Sequence, residues 1–179
     1  ANITRAEVVT LLDKAIGQFH SLAGQYQENS FSNLIVNTDG INLSQLTVAG
    51  NLIVAEGLAD GSLVLDNVQV LGQLVVRGGG IHSIIIKGNS NIPSISIERK
   101  DGPVRVLAED GIELPIIQVN DGQEMVKIEG TVHTIYLNAP IPVEIEGQIG
   151  TMEIHESAVN TTVSLSANTT VDTLRIEAA

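Results

Sequence analysis

From about residue 33 onward the chain alternates apolar and polar positions with a period of two. Short β-branched runs are parted by turns such as Asn37-Thr38-Asp39-Gly40 and Asn120-Asp121-Gly122. This alternation predicts strands whose successive side chains point to opposite faces. Only the first segment departs from it. In "NITRAEVVTLLDKAIGQFHSLAG" the residues Val8, Leu11, Leu12, Ala15, Ile16, Phe19 and Leu22 recur at helical spacing. Thr4 with Glu7 three residues on makes a capping box, and Gly24 supplies a stop, so the pattern predicts a helix over roughly 4 to 23. No second helical pattern follows, which argues against βαβ units.

Within the strands runs an internal repeat. The pattern apolar-x-x-apolar-x-apolar occurs at Leu43/Leu46/Val48, Leu71/Leu74/Val76, Ile81/Ile84/Ile86 and Ile92/Ile95/Ile97. It returns at Leu114/Ile117/Val119, Val132/Ile135/Leu137, Ile149/Met152/Ile154 and Val171/Leu174/Ile176. Its leading residues advance from 71 to 92, 114, 132, 149 and 171, in steps of 17 to 22. The closest copies are "VKIEGTVHTIYL" (126–137) and "VEIEGQIGTMEI" (143–154). Such a period, holding two or three short strands, fits one coil of a parallel β-helix with successive coils ~4.8 Å apart. A leucine-rich repeat would bring a Leu/Asn consensus that is missing here, and a Greek-key sandwich needs no columnar register. The expected fold is therefore all-β, a single-stranded parallel β-helix of about 6–7 coils behind an N-terminal capping helix. The expected division is a capping helix and linker over 1–32 and the β-helix over 33–179.

Composition sharpens this picture. Aromatics are 2% of a chain that is 43% hydrophobic, so the bore must be filled by Ile, Val and Leu. A net charge of −12 disfavours nucleic acid and anionic membrane surfaces as partners. No apolar run approaches the ~20 residues that span a bilayer. The chain has no cysteine, which excludes disulfides and thiolate metal sites.

Candidate chemistry is sparse. In "LVVRGGGIHSIIIKGNSN" (74–91) the glycines precede a strand, where a phosphate cradle needs a helix N-terminus and a Lys-Ser/Thr pair. Gly78 to Gly80 are read as a coil corner. His82 and His133 hold like places in the repeat but lie 51 residues apart, too far to share a metal. Neither they nor His20 and His155 have a Ser or Cys partner at recognisable spacing. Stacking the two closest copies sets Glu129 against Glu146, like charges that a Ca²⁺ ion would reconcile. The same stacking sets Lys127 beside Glu144. Arg99-Lys100 with Arg105 is the one basic cluster, and Glu98 and Asp101 offset it locally.

Two stretches carry a resemblance. "ITRAEVVTLLDKAIG" (3–17) resembles the last part of an S-layer homology motif, and "VAEGLADGSLVLDNVQVLGQLVVRGGGIHSIIIKGNSNI" (54–92) is similar to the β-helical segment of secreted, surface-associated bacterial proteins. The first implies cell-wall polysaccharide as a ligand, through Thr4, Arg5 and Glu7. The second implies an extracellular or cell-surface setting and no enzymatic activity.

The expected function is a non-enzymatic structural scaffold of the bacterial cell surface. Its subunits would join head to tail, the apolar stripe Val8, Leu12, Ile16 and Phe19 at one end meeting Val171, Leu174 and Ile176 at the other. Such a contact does not close and gives filaments. The alternative is a carbohydrate-binding module, Ca²⁺-assisted at Glu129 and Glu146, with Tyr136 the one aromatic in the repeats available to stack on a sugar. Short regular coils offer no insertions from which to wall an enzyme cleft, and no cofactor is expected beyond that Ca²⁺.

Overall fold

The computed structural model describes Thr4, Arg5, Glu7 and residues 17–109 and 111–177. It is a parallel β-solenoid of about seven turns. Three sides share each turn. The first side stacks Gln18–His20, Leu34–Val36, Leu52–Val54, Leu74–Val76 and Ile95–Ile97. Glu113–Val119, the second half of Val126–Leu137, the second half of Val143–Ile154 and then Thr170–Ile176 continue it. The second side stacks Gly24–Tyr26, Ile41–Ser44, Leu63–Asp66, Ile85–Lys87 and Val104–Ala108, followed by the first halves of the two long strands and Val163–Leu165. The third side begins with Thr47–Val48 on Gln69–Val70, bridged to Ser30 and Asn91.

The period-two pattern explains the core. Inward columns pass from coil to coil, for example Leu34, Leu52, Leu74, Ile95, Ile117, Ile135 and Met152 in strict register, all essentially inaccessible to water. Each such aliphatic side chain contributes about 1.5–3 kcal/mol by burial. Of the four aromatics only Tyr26, the register partner of the inward Leu43, packs against this column-filled bore. Phe19 and Phe31 are exposed, Tyr136 stands on an outer face and Tyr26 stacks on His20 at 3.8 Å. The loss of water around the His20 ring lowers its pKa, against a smaller opposing pull from Glu28.

Corners are held by side chains that replace ladder bonds. Asn33 Oδ1 accepts from the Asn51 backbone N–H at 2.9 Å, and Asn51 Oδ1 accepts from Gln73 N–H at 3.0 Å. Backbone amides at a turn between stacked strands would otherwise lack partners. The triple glycine is indeed a corner, for mixed reasons. Only Gly79 has positive φ (+109°), whereas a Cβ on Gly78 or Gly80 would run into the carbonyls of Ala55 or Asp60 on the coil below.

Two expectations are corrected. The capping box forms: Thr4 N–H donates to Glu7 Oε2 at 2.8 Å and Glu7 N–H donates to Thr4 Oγ1 at 3.2 Å. Those bonds lower the Glu7 pKa, the backbone bond from Thr4 most of all. The expected capping helix over 4 to 23 is not shown, however, and its last third holds a strand. Gln18–His20 and Gly24–Tyr26 are strands, and parallel pairing begins at Gln18 rather than near residue 33. Gly17 turns the chain at φ +86° and Gln18 N–H joins Asn33 O at 2.9 Å, so ladder bonds override an apolar spacing that also fits a helix. Val8, Leu12 and Ile16 lie outside the described residues.

The repeat frame also slips at two of its copies, and Ile81, which leads one of them, is exposed. Val70, not Leu71, is the register partner of Val48, which leaves Leu71 65% exposed on a corner although it leads the sequence pattern.

Candidate functional site

On the second side, parallel register places Arg105, Lys127 and Glu144 in one outward column and Leu107, Glu129 and Glu146 in the next. Glu129 is the centre of the resulting cluster. Arg105 Nε donates to Glu129 Oε2 at 2.6 Å, and its Nη2 reaches the same oxygen. Lys127 Nζ lies 2.8 Å from Glu129 Oε1, 3.1 Å from Glu144 Oε1 and 3.7 Å from Glu146 Oε2. Burial, which leaves Glu129 only 12% exposed, would raise its pKa; hydrogen bonds from Lys127 and then Arg105 outweigh this and lower it. Lys127 is pushed up in turn, first by its bond to Glu129 and next by that to Glu144.

Glu129 and Glu146 are therefore stacked as the sequence requires, and the ammonium of Lys127 sits between their carboxylates. A positive charge already answers the repulsion that would call for Ca²⁺ there. Among the described residues, no group of three or more His, Asp or Glu has metal-binding geometry.

Beside the cluster runs a groove of about 790 Å³ at the corner between the second and third sides. Its floor is made where Gly130 stacks on Gly147. Both have positive φ (+123° and +139°), and a Cβ on Gly147 would overlap the Gly130 carbonyl. Thr131, Gln148 and Asn168 line it with hydroxyl and amide groups, and Glu109 adds a carboxylate. This set can hydrogen-bond a polyhydroxylated ligand; it holds no thiol, hydroxyl–imidazole pair or free carboxylate dyad for covalent or acid–base work.

The other sequence candidates are dispersed. Tyr136 stands between Gln118 and Glu153 on the first side, away from the groove. Thr4 and Glu7 are engaged with each other. Val171, Leu174 and Ile176 fall together on the last strand, where Leu174 is 55% and Ile176 66% exposed. Leu165 of the neighbouring strand adds to that end. Phe19 lies on the first coil as expected of an end residue, but in a strand, where it points outward beside Ile35. His82 and His133 are separate and exposed.

Three features escape sequence reading. His155 has a serine neighbour after all: its Nδ1 lies 2.8 Å from Ser157 Oγ and its Nε2 3.2 Å from Glu177. Ser157 N–H also donates to Nδ1, and its hydroxyl reaches Asn138 O at 2.7 Å, so the imidazole closes the 3₁₀ turn Glu156–Ala158. The equivalent turn Glu56–Leu58 forms with Ala55 and Gly57 at those places and no side-chain cap, so the turn itself does not require the trio. Arg99, only 5% exposed, joins Asp60 at 2.7 Å and the carbonyls of Ala59, Asp101 and Pro103. The basic cluster is thus dissolved between coils, with Arg77 on Glu98, Lys100 on Asp121 and Arg105 on Glu129. These four pairs join residues 21 to 39 apart, beyond any local charge pattern. No family model, curated protein or solved structure matches this chain.

Proposed function

We propose that this chain is a non-enzymatic structural scaffold of the bacterial cell surface, joined end to end with further copies through the faces of its solenoid. The observation that carries the reading is the last described coil. Among the described residues, Thr170–Ile176 pairs only along its inner edge, with Val143–Ile154, while Leu165, Leu174 and Ile176 stay open to water. A free strand edge with apolar side chains beside it is a template for another strand. The extracellular setting rests on the resemblance of residues 3–17 and 54–92.

The test is sedimentation velocity and negative-stain microscopy of the full chain over a concentration series, beside a Leu174→Glu/Ile176→Glu variant. Linear oligomers that grow with concentration and vanish in the variant support the reading. A wild-type chain that never forms open-ended oligomers overturns it.

A second reading is favoured by the polar groove at Gly130 and Gly147: a carbohydrate-binding module for a hydroxyl-rich polymer. Retention on cell-wall polysaccharide, cellulose or pectin that is lost in Gln148→Ala/Asn168→Ala would support it, and equal elution of both proteins would dismiss it.

A further inference from the structure

One part of this acidic surface carries no charge. Residues 29–38, 40–55, 67–76 and 88–97 contain no Asp, Glu, Lys, Arg or His. Coiling brings them together on the first and third sides of four successive turns. Along the corner between those sides runs an apolar ridge, one residue per turn: Phe31, Ala49, Leu71 and Pro93. Each directly follows a third-side residue (Ser30, Val48, Val70 and Ile92), and so each points out where its predecessor points in. Phe31 is 90% and Leu71 65% exposed, and Ala49 and Pro93 are exposed as well. At one coil spacing per residue the ridge is about 14 Å long.

The structure assigns this ridge to a second copy of the chain, packed side by side and antiparallel about a twofold axis that passes between Ala49 and Leu71. Two arguments select that occupant. The first is charge. Copies bearing −12 each repel, and at physiological salt that repulsion acts within about 8 Å, so close approach needs a face without acidic groups. The neutral face meets that condition on both partners at once.

The second argument is shape. Read along the ridge, the residues are large, small, large, intermediate. A twofold axis at its centre sets Phe31 against the partner's Pro93 and Ala49 against the partner's Leu71, and repeats both pairs by symmetry. Each large side chain then faces a smaller one, as an isologous contact requires. Prolyl and aromatic faces stack well, and Leu71 fills the space that Ala49 and its neighbour Gly50 leave. A parallel pairing in register would instead oppose Phe31 to Phe31 and leave a gap at Ala49.

This contact closes on itself and stands apart from the end-to-end contact proposed above. Sedimentation equilibrium of the Leu174→Glu/Ile176→Glu protein therefore isolates it. Across a roughly hundredfold concentration range that protein should pass from monomer to dimer, and adding Leu71→Lys should weaken dimerisation at least about tenfold, since symmetry introduces the charge twice. Because the chain has no cysteine, orientation is testable directly. A mixture of Ala49→Cys and Leu71→Cys single variants should oxidise to the mixed disulfide faster than either alone forms its own. Leu71 is exposed, so its substitution leaves the core intact, which circular dichroism would check. A protein that stays monomeric throughout overturns the proposal. So does a dimer unaffected by Leu71→Lys, or a ridge that retains the chain on a neutral polysaccharide column while the chain itself never dimerises.

Discussion

Gly147 offers a sharp test of how the stacked corners work, because a second glycine with positive φ but open space around it lies elsewhere in the chain. Gly147 (φ +139°) and Gly111 (φ +87°) both occupy the left-handed half of backbone space. They differ in what an added methyl would meet. At Gly147 the new Cβ would overlap the carbonyl oxygen of Gly130 one coil below, whereas at Gly111 nothing lies within 4 Å. Gly111→Ala should therefore cost only the conformational penalty of an L-residue at positive φ, about 1–2 kcal/mol. Gly147→Ala adds displacement of packed backbone, about 1–3 kcal/mol more, for a total near 2–5 kcal/mol. The entropy removed from the unfolded chain by a Gly→Ala change is common to both and drops out of the comparison. For a chain of this length each kcal/mol lowers Tm by about 2–4 °C, which puts Gly147→Ala near 10 °C and Gly111→Ala near 4 °C. Thermal melts by far-UV circular dichroism read this directly. Hydrogen exchange should show the excess opening in the strands that flank the corner, since a coil touches only its neighbours. Equal losses in the two variants would refute the claim that close approach between coils, rather than φ alone, demands glycine at 147.

Further expectations follow from the charged side. Lys127→Met removes the cation shared by Glu129, Glu144 and Glu146, and should lower stability more at low salt than at high salt; a salt-independent loss would point to packing alone. The Glu129 carboxyl has a folded-state pKa below its unfolded one, so its contribution is complete above the ordinary carboxylate value of about 4.3 and fades as pH falls through the lowered value. Urea titrations of Glu129→Gln against wild type should thus converge as pH drops below about 4, and parallel curves would contradict the assignment. Arg99→Met should cost about 3–5 kcal/mol, because it strands the carbonyls of Ala59, Asp101 and Pro103 with no donor, and a loss below about 1 kcal/mol would show that water serves them equally well.

What could be read beforehand follows from what is local in sequence. The alternation of Ile, Val and Leu fixes which face of each strand is buried, and the 17-residue step between Glu129 and Glu146 predicted their stacking and that of Lys127 on Glu144, which the register bears out. The first coil departs from its local pattern: Phe19 and Leu22 continue a helical spacing, but the ladder bonds that make Gln18–His20 a strand come from Asn33 and beyond. Leu71 leads a copy of the repeat pattern, yet Val70 takes the inward place. Arg99 and Arg105 seemed surface partners of Glu98 and Asp101, but their side chains are long enough to reach neighbouring coils, and Asp60 and Glu129 lie 39 and 24 residues away. Periodicity reports the direction of a side chain. It is silent on which of several equivalent coils that side chain will find.

The charge pairs that tie one coil to the next carry an evolutionary implication. A hydrophobic bore of interchangeable Ile, Val and Leu would let coils be duplicated, deleted or transposed freely, since any coil seats on any other. Removal of the turn that begins at Val104 would lower Glu129 onto Ile85 and leave the carboxylate buried without Arg105. From Asp60 onward the solenoid is thus addressed, each rung coded for its neighbour by ion pairs such as Asp66 with Lys87 and Arg77 with Glu98, whereas the turns between residues 29 and 55, with Asp39 their one charged residue, carry no such pair among the described residues. Change in length by gain or loss of coils is expected to concentrate in that uncoded stretch, with the charged rungs inherited as one block.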